Sequence, residues 1–142
     1  MVNVIISEIM DKHHSKLDKL FREVKNKINT EEAEETFNHF KWELEKHFFI
    51  EEKAIFTQYS PKDREEYVAM PYVLEEHNLL LDLMKELEYS LKEGNEVDFK
   101  KFEELLDKHK KFEDQSFYPR LDKNLQSSDK QEIVRKIKEI TF

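Results

Sequence analysis

Two stretches of this chain carry the same helical stripe. Phe37, Phe40, Leu44, His47, Glu51 and Ile55 recur at spacings of three and four, which places them on one face of an α-helix. Sixty-two residues further on, Phe99, Phe102, Leu106, His109, Glu113 and Phe117 repeat both the spacing and the chemical type. A second pair of stripes matches at a shift of 63: Met10, His14, Leu17, Leu20, Phe21, Val24 and Ile28 against Val73, His77, Leu80, Leu83, Met84, Leu87 and Leu91. The chain is thus two copies of a helix pair. Short connections between the pairs favour antiparallel neighbours, so the expected fold is all-α, an up-down four-helix bundle with a short fifth helix at the C-terminus.

The chain has 142 residues, enough for one domain with a real core. One Gly, three Pro and a Glu/Lys-rich surface fit a helical protein with few loops. The bundle is expected over about 4–119 and the last helix over about 128–141. The first helix runs from about residue 4 to 29, and Asn29 or Thr30 is placed to cap the second, which reaches about residue 57. Ser60 before Pro61 is expected to start a short turn, and Pro71 to take the first position of the third helix. That helix stops at Gly94. The fourth begins near Asp98 and ends before Pro119. Ser128 and Gln131 have the spacing of a capping box for the last helix, which offers Ile133, Ile137 and Ile140 to the core.

A net charge of -8 repels nucleic acid and anionic membranes, so neither is an expected partner. The N-terminus has no basic segment, and its apolar run is broken by Ser7 and Glu8, so no secretory leader is expected. The absence of Cys excludes disulfides, thiolate metal sites and a Cys nucleophile, and it suits a reducing cytoplasm.

The polar groups inside the stripes carry the chemistry. A lone His-x-x-x-Glu on a helix is usually surface decoration. Here the pair lies in the apolar stripe, and it does so twice. His14 to His47 is 33 residues and His77 to His109 is 32, the interval needed to climb one helix and return to the same level in its partner. Four imidazoles and two carboxylates can then meet at one depth. A purely internal ion-pair network would lose several kcal/mol per ion in desolvation. Nitrogen and oxygen donors without thiolate suit Fe, Mn or Zn, and six ligands are too many for one tetrahedral zinc. Two metals bridged by Glu51 and Glu113, with two histidines each, use every group and leave positions open for a small molecule.

The ordered set His14, "HFFIE", "EEHNLLLDL" and "HKKFE" resembles the hemerythrin-like, HHE cation-binding family over about residues 5–120. The resemblance implies a four-helix bundle holding two iron ions, oxo- or hydroxo-bridged, with His14, His47, His77 and His109 as terminal ligands and Glu51 and Glu113 as bridges. Oxygen-carrying hemerythrins have a further histidine where this chain has Val73, and a His-x-x-x-x-Asp that Asp114 could complete; the duplication favours Glu113. The pattern His, HxxxE, His, HxxxE is closer to members tied to iron, peroxide or nitric oxide and to iron-cluster repair. It implies a centre that binds or reacts with a small diatomic or peroxide ligand; the alternative is iron storage, delivery or iron-sulfur cluster repair, in which Glu43 and Glu76 would line an iron or proton path. Ferritin-like di-iron proteins need Glu-x-x-His, which does not occur here. Helical phase alone would prefer His13 to His14, whereas the duplication selects His14. His39 falls on the flank.

Overall fold

A computed structural model describes residues 6–58 and 64–141. Helix α1 spans Ile6–Lys27 and α2 spans Ala33–Ile50, prolonged by a π-helical turn, Glu51–Ile55, and a 3-10 turn, Phe56–Gln58. Helix α3 spans Arg64–Lys92 and α4 spans Lys100–Phe112. A second π-helical turn, Glu113–Phe117, leads directly into α5, Tyr118–Asn124, and α6 spans Ser127–Thr141.

Cross-helix contacts fix the directions. Along α1, Phe21, Lys16 and His14 meet Phe40, Glu43 and His47 in turn, so α1 and α2 are antiparallel. Lys41 pairs with Glu88 at 2.6 Å while Glu51 approaches His77, which sets α3 against α2. Tyr72 lies on Phe112 and His77 on His109, which sets α4 against α3. Lys25 pairs with Glu103, and His14 with Glu113, closing the bundle between α4 and α1.

The apolar interior falls into two layers. One holds Leu17, Phe21, Phe37, Phe40, Leu44, Leu80, Phe102 and Leu106, with the rings of Phe21, Phe40 and Phe102 within 6.0 Å of each other. The other holds Ile6, Met10, Ile55, Val73, Phe117, Tyr118 and Leu121, and α6 closes it with Ile133 and Ile137, while Ile140 is partly buried against it. Along each long helix one histidine stands between the layers.

Several expected helix ends differ. Thr30 closes the turn after α1, donating from Oγ1 to the Lys27 carbonyl at 2.7 Å and accepting from the Glu32 N–H at 3.2 Å. The residue before α2 is therefore Glu32, which makes no side-chain cap. Pro71 does not open α3; it sits inside the helix, exposed, where it forfeits one backbone hydrogen bond without breaking the run. Nor does Pro119 follow the end of the fourth helix. It comes just after the π-helical turn, where pairing changes from five residues back to four and a missing N–H is least costly, and the helix continues to Asn124. Ser128 lies within α6, so the expected capping box does not form. Ser60 and Pro61 lie outside the described residues. Gly94 does end α3 as expected. At φ +73° it bonds to the Leu91 carbonyl while Asn95 bonds to that of Ser90, a paired closure that needs a left-handed residue. No described helix is long and apolar enough to cross a membrane.

The start of α1 is held by a residue distant in sequence. Asp122 in α5 accepts from the Ile6 N–H at 2.6 Å, the Ser7 N–H at 3.0 Å and the Ser7 hydroxyl at 2.6 Å. These donors have no partner within the helix. Asp122→Ala is expected to cost about 1–2 kcal/mol of unfolding free energy in a denaturant titration, as the loss of a capping carboxylate does. An unchanged midpoint would show that the contact carries no stability.

Candidate metal centre

Each ligand candidate arrives at the layer between the two cores on its own element: His14 on α1, His47 on α2, His77 on α3, His109 on α4, and Glu51 and Glu113 at the first positions of the two π-helical turns. None of the six is more than 3% exposed. Burial this complete requires a partner for every polar atom.

All four Nε2 atoms point inward at the carboxylates. Glu113 Oε1 lies 3.2 Å from Nε2 of His14 and 3.1 Å from Nε2 of His109. Glu51 Oε1 lies 2.8 Å from Nε2 of His47 and 3.6 Å from Nε2 of His77. The rings of His14 and His47 are 5.0 Å apart, as are those of His77 and His109. Donor atoms within 4.8 Å of one another form two sets, His14 with His47 and Glu113, and His77 with His109, Glu51 and Glu113. The histidines thus pair within each helix hairpin. Each carboxylate reaches from one pair to the other.

Three of these separations would suit hydrogen bonds, but the alignments, with one exception, do not. Only His14 meets Glu113 in aligned geometry; Nε2 of His47, His77 and His109 and both oxygens of Glu51 have no aligned partner. Orphaned atoms of this kind cost about 1–3 kcal/mol each. Ligands bound at about 2.1 Å to one ion stand about 3 Å apart when adjacent. The donor set therefore fits metal ions, and fits them better than it fits itself.

Outside this ring, Glu76 Oε1 bonds Nδ1 of His109 at 2.9 Å, buried. Asp114 Oδ1 lies 3.0 Å from Nδ1 of His14 and Glu52 Oε1 3.6 Å from Nδ1 of His77, neither in the alignment of a full hydrogen bond. Such carboxylates turn Nε2 toward a metal and raise its basicity. Phe48 stacks on His77 at 3.9 Å and fixes that ring's plane.

Of the other residues weighed in the sequence, His13 is half-buried and stands outside, its ring 5.7 Å from that of His47. Asp114 faces outward behind His14. His39 is exposed near Glu43, which pairs with Lys16 at 3.1 Å. Val73 is fully buried in the apolar layer. Sequence reasoning passed over Glu52 and Tyr118. Glu52 matches Asp114 under the duplication, a signal present in the sequence. Tyr118 matches Phe56, so the second copy adds a hydroxyl to an apolar position, buried beside His14 with ring centres 5.7 Å apart.

The charges follow from burial and crowding. Burial opposes charge on His14, but Asp114 and Glu113 outweigh it and push its pKa up to about 9. Burial dominates at His47 and lowers it to about 4. Burial and the neighbouring charge of Glu51 raise Glu113 well above the carboxylate range. Glu51, although desolvated, is held well below it by Glu113, His47 and His77. With no cation between them, Glu113 is pushed toward its protonated form and His14 carries a proton. A metal must displace both protons, so affinity should rise with pH through neutrality toward 9. Calorimetric loading at pH 7 in buffers of different ionisation enthalpy should report about one to two protons released per chain. A binding heat independent of buffer would contradict this.

The family model for the hemerythrin HHE cation binding domain matches residues 5–139. No curated protein and no solved structure matches the chain significantly. A match across nearly the whole chain, joined to a buried cluster of histidines and glutamates at the centre of a helical bundle, places this chain in the hemerythrin HHE cation-binding domain family.

Proposed function

We propose that this chain is a non-haem di-iron protein that binds or reacts with oxygen, peroxide or nitric oxide at a carboxylate-bridged centre. The observation that supports this reading is the placement of Glu51 and Glu113, each of which faces one histidine from either pair. Two carboxylates shared between two imidazole pairs suit two adjacent cations better than one.

In this reading His14 and His47 would hold one iron and His77 and His109 the other, with Glu51 and Glu113 available to both. When bound, the iron pair supplies two-electron redox chemistry and open coordination positions. The protein supplies the rest. The carboxylates offset cationic charge in a site that water cannot screen. The apolar layers on either side exclude bulk water and suppress loss of electrons to side reactions. Val73 is an apolar wall where oxygen carriers of the family have a ligand, which leaves that position to the small molecule. Burial and the Glu113 charge raise the Tyr118 pKa, keeping its hydroxyl protonated, and no aligned acceptor holds that proton. Tyr118 thus keeps a hydroxyl proton next to Glu113 and His14, where it can be donated to a small molecule that displaces the Glu113 contact. The absence of Cys suits a cytoplasmic location.

Iron storage, delivery or cluster repair would need Glu43 and Glu76 as free carriers. Glu43 is instead paired with Lys16 and Lys46, and Glu76 is bonded to His109. The small-molecule reading is accordingly preferred. The reduced, iron-loaded protein should develop new near-ultraviolet and visible bands on exposure to oxygen, peroxide or nitric oxide, and Tyr118→Phe should change the lifetime of the oxygen product without changing metal content. A spectrum indifferent to all three reagents, with iron passed on to an apo-cluster acceptor, would favour the alternative.

A further inference from the structure

The internal duplication pairs each side chain that backs a histidine with a counterpart. His14 corresponds to His77, and the groups behind them, Asp114 and Glu52, correspond to each other. His109 corresponds to His47, and the group behind His109 is Glu76, in a buried, aligned bond of 2.9 Å. The counterpart of Glu76 is His13. There the symmetry fails.

Nδ1 of His47 has no hydrogen-bond partner. In place of a carboxylate it has the edge of the His13 ring, 5.7 Å away between centres and at 70°. His47 also lines a cavity of about 290 Å³ between α1 and α2, together with His13, Lys16, Glu43 and Lys46. Asp114 and Glu52 stand behind His14 and His77 alike without aligned bonds, so the two positions differ at the other histidine of each pair: His109 is anchored by Glu76, and no carboxylate stands behind His47. An imidazole whose Nδ1–H is not anchored is a weaker base and is not held in its coordinating orientation; removing such a partner lowers metal affinity about 10–100-fold.

We propose that the centre has one retained and one exchangeable metal position: His77 and His109 hold their ion tightly, while the ion of His14 and His47 exchanges with solvent through the cavity beside His13. This rests on the two-metal reading above. It makes His13 a positioning residue whose identity sets the lability of one ion without itself being a ligand.

The full chain loaded with Co²⁺, whose visible bands report coordination, would be mixed with excess chelator and release followed in time. Two phases of one ion each are expected. His13→Glu, which copies the Glu76 arrangement onto His47, should slow the fast phase about tenfold and leave the slow phase alone. Glu76→Gln should speed the slow phase about tenfold or more and leave the fast phase alone. Release of both ions in one phase, an unchanged fast phase in His13→Glu, or a Glu76→Gln effect on the fast phase would overturn the inference while the two-metal reading stands. Failure to take up two ions would overturn that reading, and this inference with it.

Discussion

Four imidazoles and two carboxylates are buried in a single layer, and the rest of the fold is arranged around satisfying them. Charged and polar groups withdrawn from water must find partners at hydrogen-bonding or coordination distance. Here they converge on one another with all four Nε2 atoms facing inward, while apolar layers close them in on both sides. The arrangement makes chemical sense when cations stand between the donors, because the family to which the chain belongs binds cations and the donors lack alignment for each other.

The two π-helical turns solve a geometric problem created by that layer. Spacings of exclusively four residues drift by about 40° per step around an α-helix, which has 3.6 residues per turn. In His47, Glu51, Ile55 and again in His109, Glu113, Phe117, two such steps follow in succession. On a straight α-helix the last apolar residue would leave the core. The Phe56 N–H reaches back five residues to the Glu51 carbonyl, and the Tyr118 N–H does the same to Glu113. The widened turns take up the drift, so Ile55 and Phe117 remain buried beneath the carboxylates. Single widened turns of this kind often occur at functional sites.

The duplication is why so much of this was readable in the sequence. Periodicity alone left His13 ahead of His14, whereas comparison of the two halves selected His14, which lies in the buried layer with His13 beside it. The same comparison favoured Glu113 over Asp114, and the two residues occupy inner and outer positions in the fold. The bundle itself followed from the stripes and the short connections. Helix ends were less legible because they depend on long-range contacts: the start of α1 is held by Asp122, more than a hundred residues away. Pro71 and Pro119 mislead for another reason, since tertiary packing carries a helix through a residue that local propensity would place at its edge. The roles of Glu52, Asp114 and Glu76 behind the histidines required knowing which Nδ1 faces which neighbouring helix.

A duplicated scaffold also explains how the two halves can differ in character. Each pair of matched helices delivers the same ligands, while the residues behind them vary independently: Glu76 against His13, and Tyr118 against Phe56. The most direct test of the central claim is the metal content of protein purified from iron-supplied cells. Two iron ions per chain are predicted; a content well below two metals per chain would contradict a paired centre built from His14, His47, Glu51, His77, His109 and Glu113.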